Sequence, residues 1–97
     1  MTIKELIQNV RSIENDYSVA FAKKIDGDFT SNSEVIIAEI DEESDEDIKK
    51  TVLEKNPQFD YFLEVFLIKG MVQDFLEKND DINQLVDIVI HYAKYDA

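Results

Sequence analysis

Apolar residues recur at Ile3, Leu6, Ile7, Val10 and Ile13. This is the three-and-four spacing of one helix face, and it predicts a helix over about 3–14. Thr2 with Glu5 three positions later is a capping box, in which each side chain satisfies an orphan N–H of the first turn. From Tyr17 the period changes to two. Tyr17, Val19, Phe21 and Ile25 fall on one strand face, and Ala20, Ala22 and Lys24 on the other. Asp26-Gly27-Asp28 breaks this pattern, and Thr30-Ser31-Asn32-Ser33 continues as loop. The segment from Glu34 to Ile40 is rich in β-branched residues and predicts a second strand. The two strands together predict an antiparallel hairpin with a long tip.

The second half is helical in pattern. Ser44 with Asp47 is an N-cap signal, and the helix over about 45–55 turns Ile48 and Val52 inward, with Thr51 or Lys55 beside them. Asn56-Pro57 is a stop and a restart, since Pro disfavours helix at the residue before it and suits the first position of a new one. A third helix is expected over 57–78. From Phe59 to Ile68 it is apolar nearly all round, which predicts the central helix of the fold. Gly70 within it marks a kink or a close helix crossing. Asn79-Asp80-Asp81 separates a last helix, where Asp81 and Gln84 match a capping box. Its stripe is Ile82, Leu85, Val86 and Val89, widened by Ile88 and Tyr92. The expected fold is α+β, one domain over 1–97 in the order α-β-β-α-α-α, with the hairpin packed on a helical bundle. An all-helical bundle is the alternative.

Composition narrows the chemistry. The chain has 97 residues, with no Cys, no Trp and one His. Without Cys there is no disulfide framework, thiol nucleophile or zinc ribbon. One His cannot build a multi-His metal site, and two Gly cannot build a phosphate-cradling loop. The EF-hand spacing fails at both acidic starts. Counting from Asp26, the glycine position is Ser31 and the closing glutamate position is Ile37; counting from Asp41, they are Glu46 and Val52. His91, between Ile90 and Tyr92, reads as a packing or surface residue. Phe59, Phe62, Phe66 and Phe75 are at helical spacing and read as core, while Tyr92 and Tyr95 read as partly exposed. No cofactor is expected, and generic carboxylates alone do not argue for an enzyme. The opening Met1-Thr2-Ile3-Lys4-Glu5 lacks the basic-then-apolar pattern of a secretory leader, so a cytoplasmic location is expected.

Charge changes the picture most. The net charge is −12, and it is segregated. Residues 25–48 hold ten Asp and Glu and no Lys or Arg, whereas residues 1–24 sum to +1 and residues 49–97 to −3. So acidic a chain is a poor ligand for nucleic acid or an anionic membrane, both of which favour a basic face. A charge run is most often solvated surface. The functional reading is an interaction face for a basic protein. Carboxylates three or four apart on a helix lie about 5–6 Å from each other, comparable with phosphate spacing, so Asp41, Glu42, Asp45 and Glu46 at a helix start would mimic a nucleic-acid backbone.

The N-terminal half resembles small phage-encoded anti-CRISPR inhibitors of Cas9. The matching positions are Met1, Ile3, Leu6 and Ile7 in the helix, Asp16-Tyr17-Ser18-Val19 at the turn into the strand, and Val35-Ile36-Ile37 in the second strand. The resemblance implies a DNA mimic that blocks the PAM-reading surface of Cas9. It implies contact roles for Asp16 and Tyr17, with the acidic run in the place of phosphates. The expected function is thus an acidic inhibitor of a basic nucleic-acid-handling protein. The candidate contact residues are Asp16, Tyr17, Asp26, Asp28, Glu39, Asp41, Glu42, Glu43, Asp45, Glu46 and Asp47. The alternatives are an immunity protein or antitoxin that neutralises a cationic toxin, and a structural adaptor that binds through an apolar helix face.

Overall fold

Helix α1 (Ile3–Asn9) starts where every orphan N–H of its first turn has a partner. The Thr2 hydroxyl accepts from the Glu5 N–H, and the Glu5 carboxylate accepts from the Thr2 N–H, so the capping box forms as predicted. The Ile3 and Lys4 N–H groups donate to the carbonyls of Ser33 and Ser31 at 2.9 and 3.1 Å. The loop between the strands therefore caps the helix. The helix ends earlier than its periodicity suggests. Asn9 turns its side-chain amide back to the Glu5 carbonyl, and the chain tightens into one 3-10 turn, Val10–Ser12. The computed structural model describes residues 1–39 and 45–95, with residues 45–47 described by their backbone.

The fold is α+β, with three antiparallel strands in the order β2-β1-β3. Strand β1 (Val19–Lys23) is central, and β2 (Val35–Ala38) pairs with it from Val19 opposite Ala38 to Ala22 opposite Val35. The predicted alternation of β1 holds and sorts two cores. Ala20 and Ala22 face a layer made of α1, α3 (Val65–Leu76) and α4 (Ile82–Tyr95). Val19 and Phe21 face α2 (Asp45–Lys55) through Ile48, Val52 and Leu53. Thr51 and Lys55 are exposed, and Leu53 takes the inward place that they were expected to share. The predicted N-cap Ser44 lies outside the described residues.

The expected long helix over 57–78 is two elements. Residues Phe59–Glu64 form strand β3, which pairs with β1, and only from Val65 is the chain helical. Pro57 does not open a helix. It sits second in a turn that the Phe59 N–H closes on the Asn56 carbonyl at 3.0 Å, a position for which its fixed φ is suited. A β-bulge explains why the strand is hard to read. Ala20 faces Leu63 but Phe21 faces Tyr61, so Phe62 is an extra residue. Phe62 and Leu63 can then both enter the helical-layer core, at 1% and 0% exposure, although they are consecutive.

Other expectations are also corrected by packing. Phe66 is 49% exposed, so it is not core, whereas Phe29 in the loop is buried and meets Phe62 edge-to-face at 5.0 Å. Asp26 and Gly27 both have positive φ, 53° and 85°, and Ile25 and Asp28 exchange two backbone hydrogen bonds around them. That is a tight two-residue turn of the type Asp-Gly favours, in place of a long open tip. Gly70 does not mark a close helix crossing: it is exposed within α3, and an added Cβ would meet nothing within 4 Å. Gly70→Ala is therefore expected to stabilise the fold by about 1 kcal/mol, seen as a higher midpoint in urea.

Candidate acidic interface

The structure divides the described candidate residues between two ends of the sheet. At one end, Asp16 and Tyr17 form the corner that leads into β1. The Asn15 carboxamide oxygen accepts from the Tyr17 N–H at 2.9 Å, which turns the chain. Tyr17 is left 60% exposed, and Ser18 beside it is buried. The Ser18 carbonyl accepts from the Val65 N–H at the start of α3, while its hydroxyl finds no partner among the described residues. Glu39 belongs to this end, because β2 runs so that Ala38 faces Val19; it is exposed.

At the other end, Asp26 and Asp28 occupy the tight turn. Helix α2 finishes there, since Leu53 lines the same groove as Gly27 and Asp28. Its first turn, with Asp45, Glu46 and Asp47, lies a helix length away, about 16 Å along the axis. Asp41, Glu42 and Glu43 lie outside the described residues. The described first turn of α2 is thus not contiguous with the Asp26–Asp28 turn.

Two of the candidate acids are already counter-charged. Lys69 on α3 reaches the Asp16 carboxylate at 2.5 Å and also donates to the Ile13 carbonyl. This clamps the corner before β1 onto the helical layer. Lys94 on α4 reaches the Asp28 carboxylate at 2.9 Å. Neither pair is predictable from spacing, since both join distant segments. The hydrogen bond and charge of Lys94 hold the Asp28 carboxyl below its ordinary value, with Lys24 adding to the effect. The same hydrogen bond raises the Lys94 ammonium. Both side chains are largely exposed, so the pair is a tether screened by water.

The sign of its pH dependence follows from these directions. The Asp28 contribution is present above the ordinary carboxyl value of 3.8 and is lost as pH falls through the lowered folded value. The Lys94 contribution is present below 10.5 and is lost as pH rises through the raised folded value. The stability difference between the parent and Asp28→Asn, measured in urea across pH, is expected to be flat in the neutral range and to vanish at the acid end.

Among the described residues no group of three His, Asp or Glu is placed to hold a metal ion, and no helix is long and apolar enough to cross a membrane. Tyr17, Asp26 and Glu39 are exposed, and α2 begins with Asp45, Glu46 and Asp47, where the helix dipole favours negative charge. Such a surface offers hydrogen-bond acceptors and negative potential to cationic side chains. Comparisons with protein-family models, curated proteins and solved structures find no match to this chain.

Proposed function

We propose that this protein is an acidic decoy that occupies the nucleic-acid-binding surface of a basic protein. The observation that carries the reading is the segregation of charge: ten acids and no Lys or Arg within residues 25–48. A segment with that composition repels itself and costs folding free energy. Its retention is accounted for by a partner that supplies the counter-charge. Structural anchoring adds support. Strand β2 and helix α2, which flank the run, are packed on the sheet through Ile36, Ala38, Ile48 and Val52. The elements on either side of the run are therefore held by the sheet's own core. The resemblance of the N-terminal half gives the decoy a specific form, an anti-CRISPR inhibitor that covers the PAM-reading surface of Cas9 and uses Tyr17 at the rim.

The test is a joint neutralisation of Asp41, Glu42, Glu43, Asp45, Glu46 and Asp47 to their amides. The parent is used to capture its partner, and the two proteins are then compared for affinity at two salt concentrations. Affinity is expected to fall by about tenfold or more, mostly through slower association, with the fold intact by circular dichroism. The parent should also displace duplex DNA from guide-loaded Cas9 under the specific form, and the neutralised protein should not. Equal affinity of the two proteins, or an affinity indifferent to salt, overturns the decoy reading.

A further inference from the structure

A second surface lies on the opposite side of the sheet from α2. There α4 carries a wider apolar arc than the core consumes. Leu85, Val86 and Val89 are fully buried, yet Ile88 is 42% exposed and Tyr92 half-buried. Met71 of α3, also half-buried, faces them, and the two helices leave an open groove of about 320 Å³ lined by Met71, Gln84, Asp87, Ile88, His91 and Tyr92. The floor is apolar, and Asp87 is the acid in its lining, beside Gln84 and His91; Asp74 stands one turn beyond Met71 on α3, outside the lining, where residues three apart are neighbours. Residues 70–92 hold five acids, Asp74, Glu77, Asp80, Asp81 and Asp87, against Lys78.

From this we infer that the α3–α4 groove docks a cationic amphipathic helix of a partner protein. The inference goes beyond the decoy reading and does not depend on it, because the groove and helix α2 lie on different faces of the sheet. Shape selects a helix: the furrow between two packed helices receives the ridge of a third. Met71 supplies an unbranched, adaptable contact. Charge selects the partner. A second copy of this chain would bring the same Asp74 and Asp87 and a net charge of −12 against the first. A helix with Lys or Arg beside its apolar stripe instead places cations at Asp74 and Asp87 while its stripe covers Ile88 and Tyr92.

The probe is a synthetic helical peptide of Leu and Lys, roughly 18 residues long, with one Trp on its apolar face. The protein has no Trp, so the emission reports the peptide alone. Amide shift mapping is expected to centre on Met71, Ile88, His91 and Tyr92. Ile88→Lys and Asp87→Lys are each expected to weaken binding by about tenfold. Asp87 is exposed, so the second variant carries the test even where Ile88→Lys fails to fold. A peptide with Glu in place of Lys should not bind. The protein neutralised at its six acidic-run positions should bind the Lys peptide as the parent does, which separates this proposal from the decoy. Shifts centred on the turn at Asp26 or on α2, equal binding of the Glu peptide, or indifference to Asp87→Lys would each overturn the assignment.

Discussion

Replacement of Phe62 by alanine is expected to remove about 3–5 kcal/mol of stability, the usual cost of deleting a buried aromatic ring. Domains of this kind have about 5–15 kcal/mol in total, so the variant should melt far below the parent. The reason lies in the bulge. Phe62 is the residue that the bulge inserts into the helical-layer core, at 1% exposure, and it also holds the loop through the ring of Phe29. Its loss leaves a cavity between the sheet and α3 and releases the loop whose carbonyls cap α1. Phe66→Ala is the control. Phe66 is half exposed on α3 and should cost under about 1 kcal/mol. One continuous helix over 57–78 would place the two rings four apart on the same face, where their costs would be alike. Urea unfolding of both variants decides: a large gap supports the strand, and equal losses sink it.

The same bulge marks where the sequence stops being readable. α1 and its capping box are local, set by residues within one turn, and they are legible. α2 is legible for the same reason. β3 is not, because its period breaks at Phe62 and Leu63: two consecutive core residues make Phe59 to Ile68 look apolar all round, which is the signature of a buried helix. The evidence for a strand there is non-local, namely the open edge of β1. The Asp26-Gly27 turn carried a recognised short-range signal, but the polar run behind it suggests a longer loop until Phe29 is seen to fold back onto Phe62. The charge segregation of the candidate interface is visible from composition alone. Its internal compensation is not, since Asp16 meets Lys69 and Asp28 meets Lys94 only after the helical layer closes on the sheet.

Phe21→Ala is expected to cost a similar amount, about 3–5 kcal/mol, but to distribute it differently. On the α2 side of the sheet, Val19 and Phe21 are the fully buried members of the core cluster; Ile48, Val52 and Leu53 of α2 are partly exposed around them. Phe21 fills the centre and meets the Tyr61 ring edge-to-face at 6.3 Å. Helix α2 itself has a short apolar face, and the partners left around it, Ile36, Ala38, Phe59 and Tyr61, are only partly buried. Local opening should therefore precede global unfolding. Amide exchange in α2 is expected to rise by orders of magnitude, while amides of α1 and α4, backed by the larger core, keep most of their protection. Under the decoy proposal the effect carries into function: Asp45, Glu46 and Asp47 belong to the first turn of α2, and a rigid basic partner is expected to lose affinity when that helix opens. Phe21→Leu keeps the volume closer to native and should restore both exchange protection and affinity. Uniform loss of protection across α1, α2 and α4 would instead mean that the two faces of the sheet unfold as one unit, and that α2 is held by the whole fold and not by its own small core.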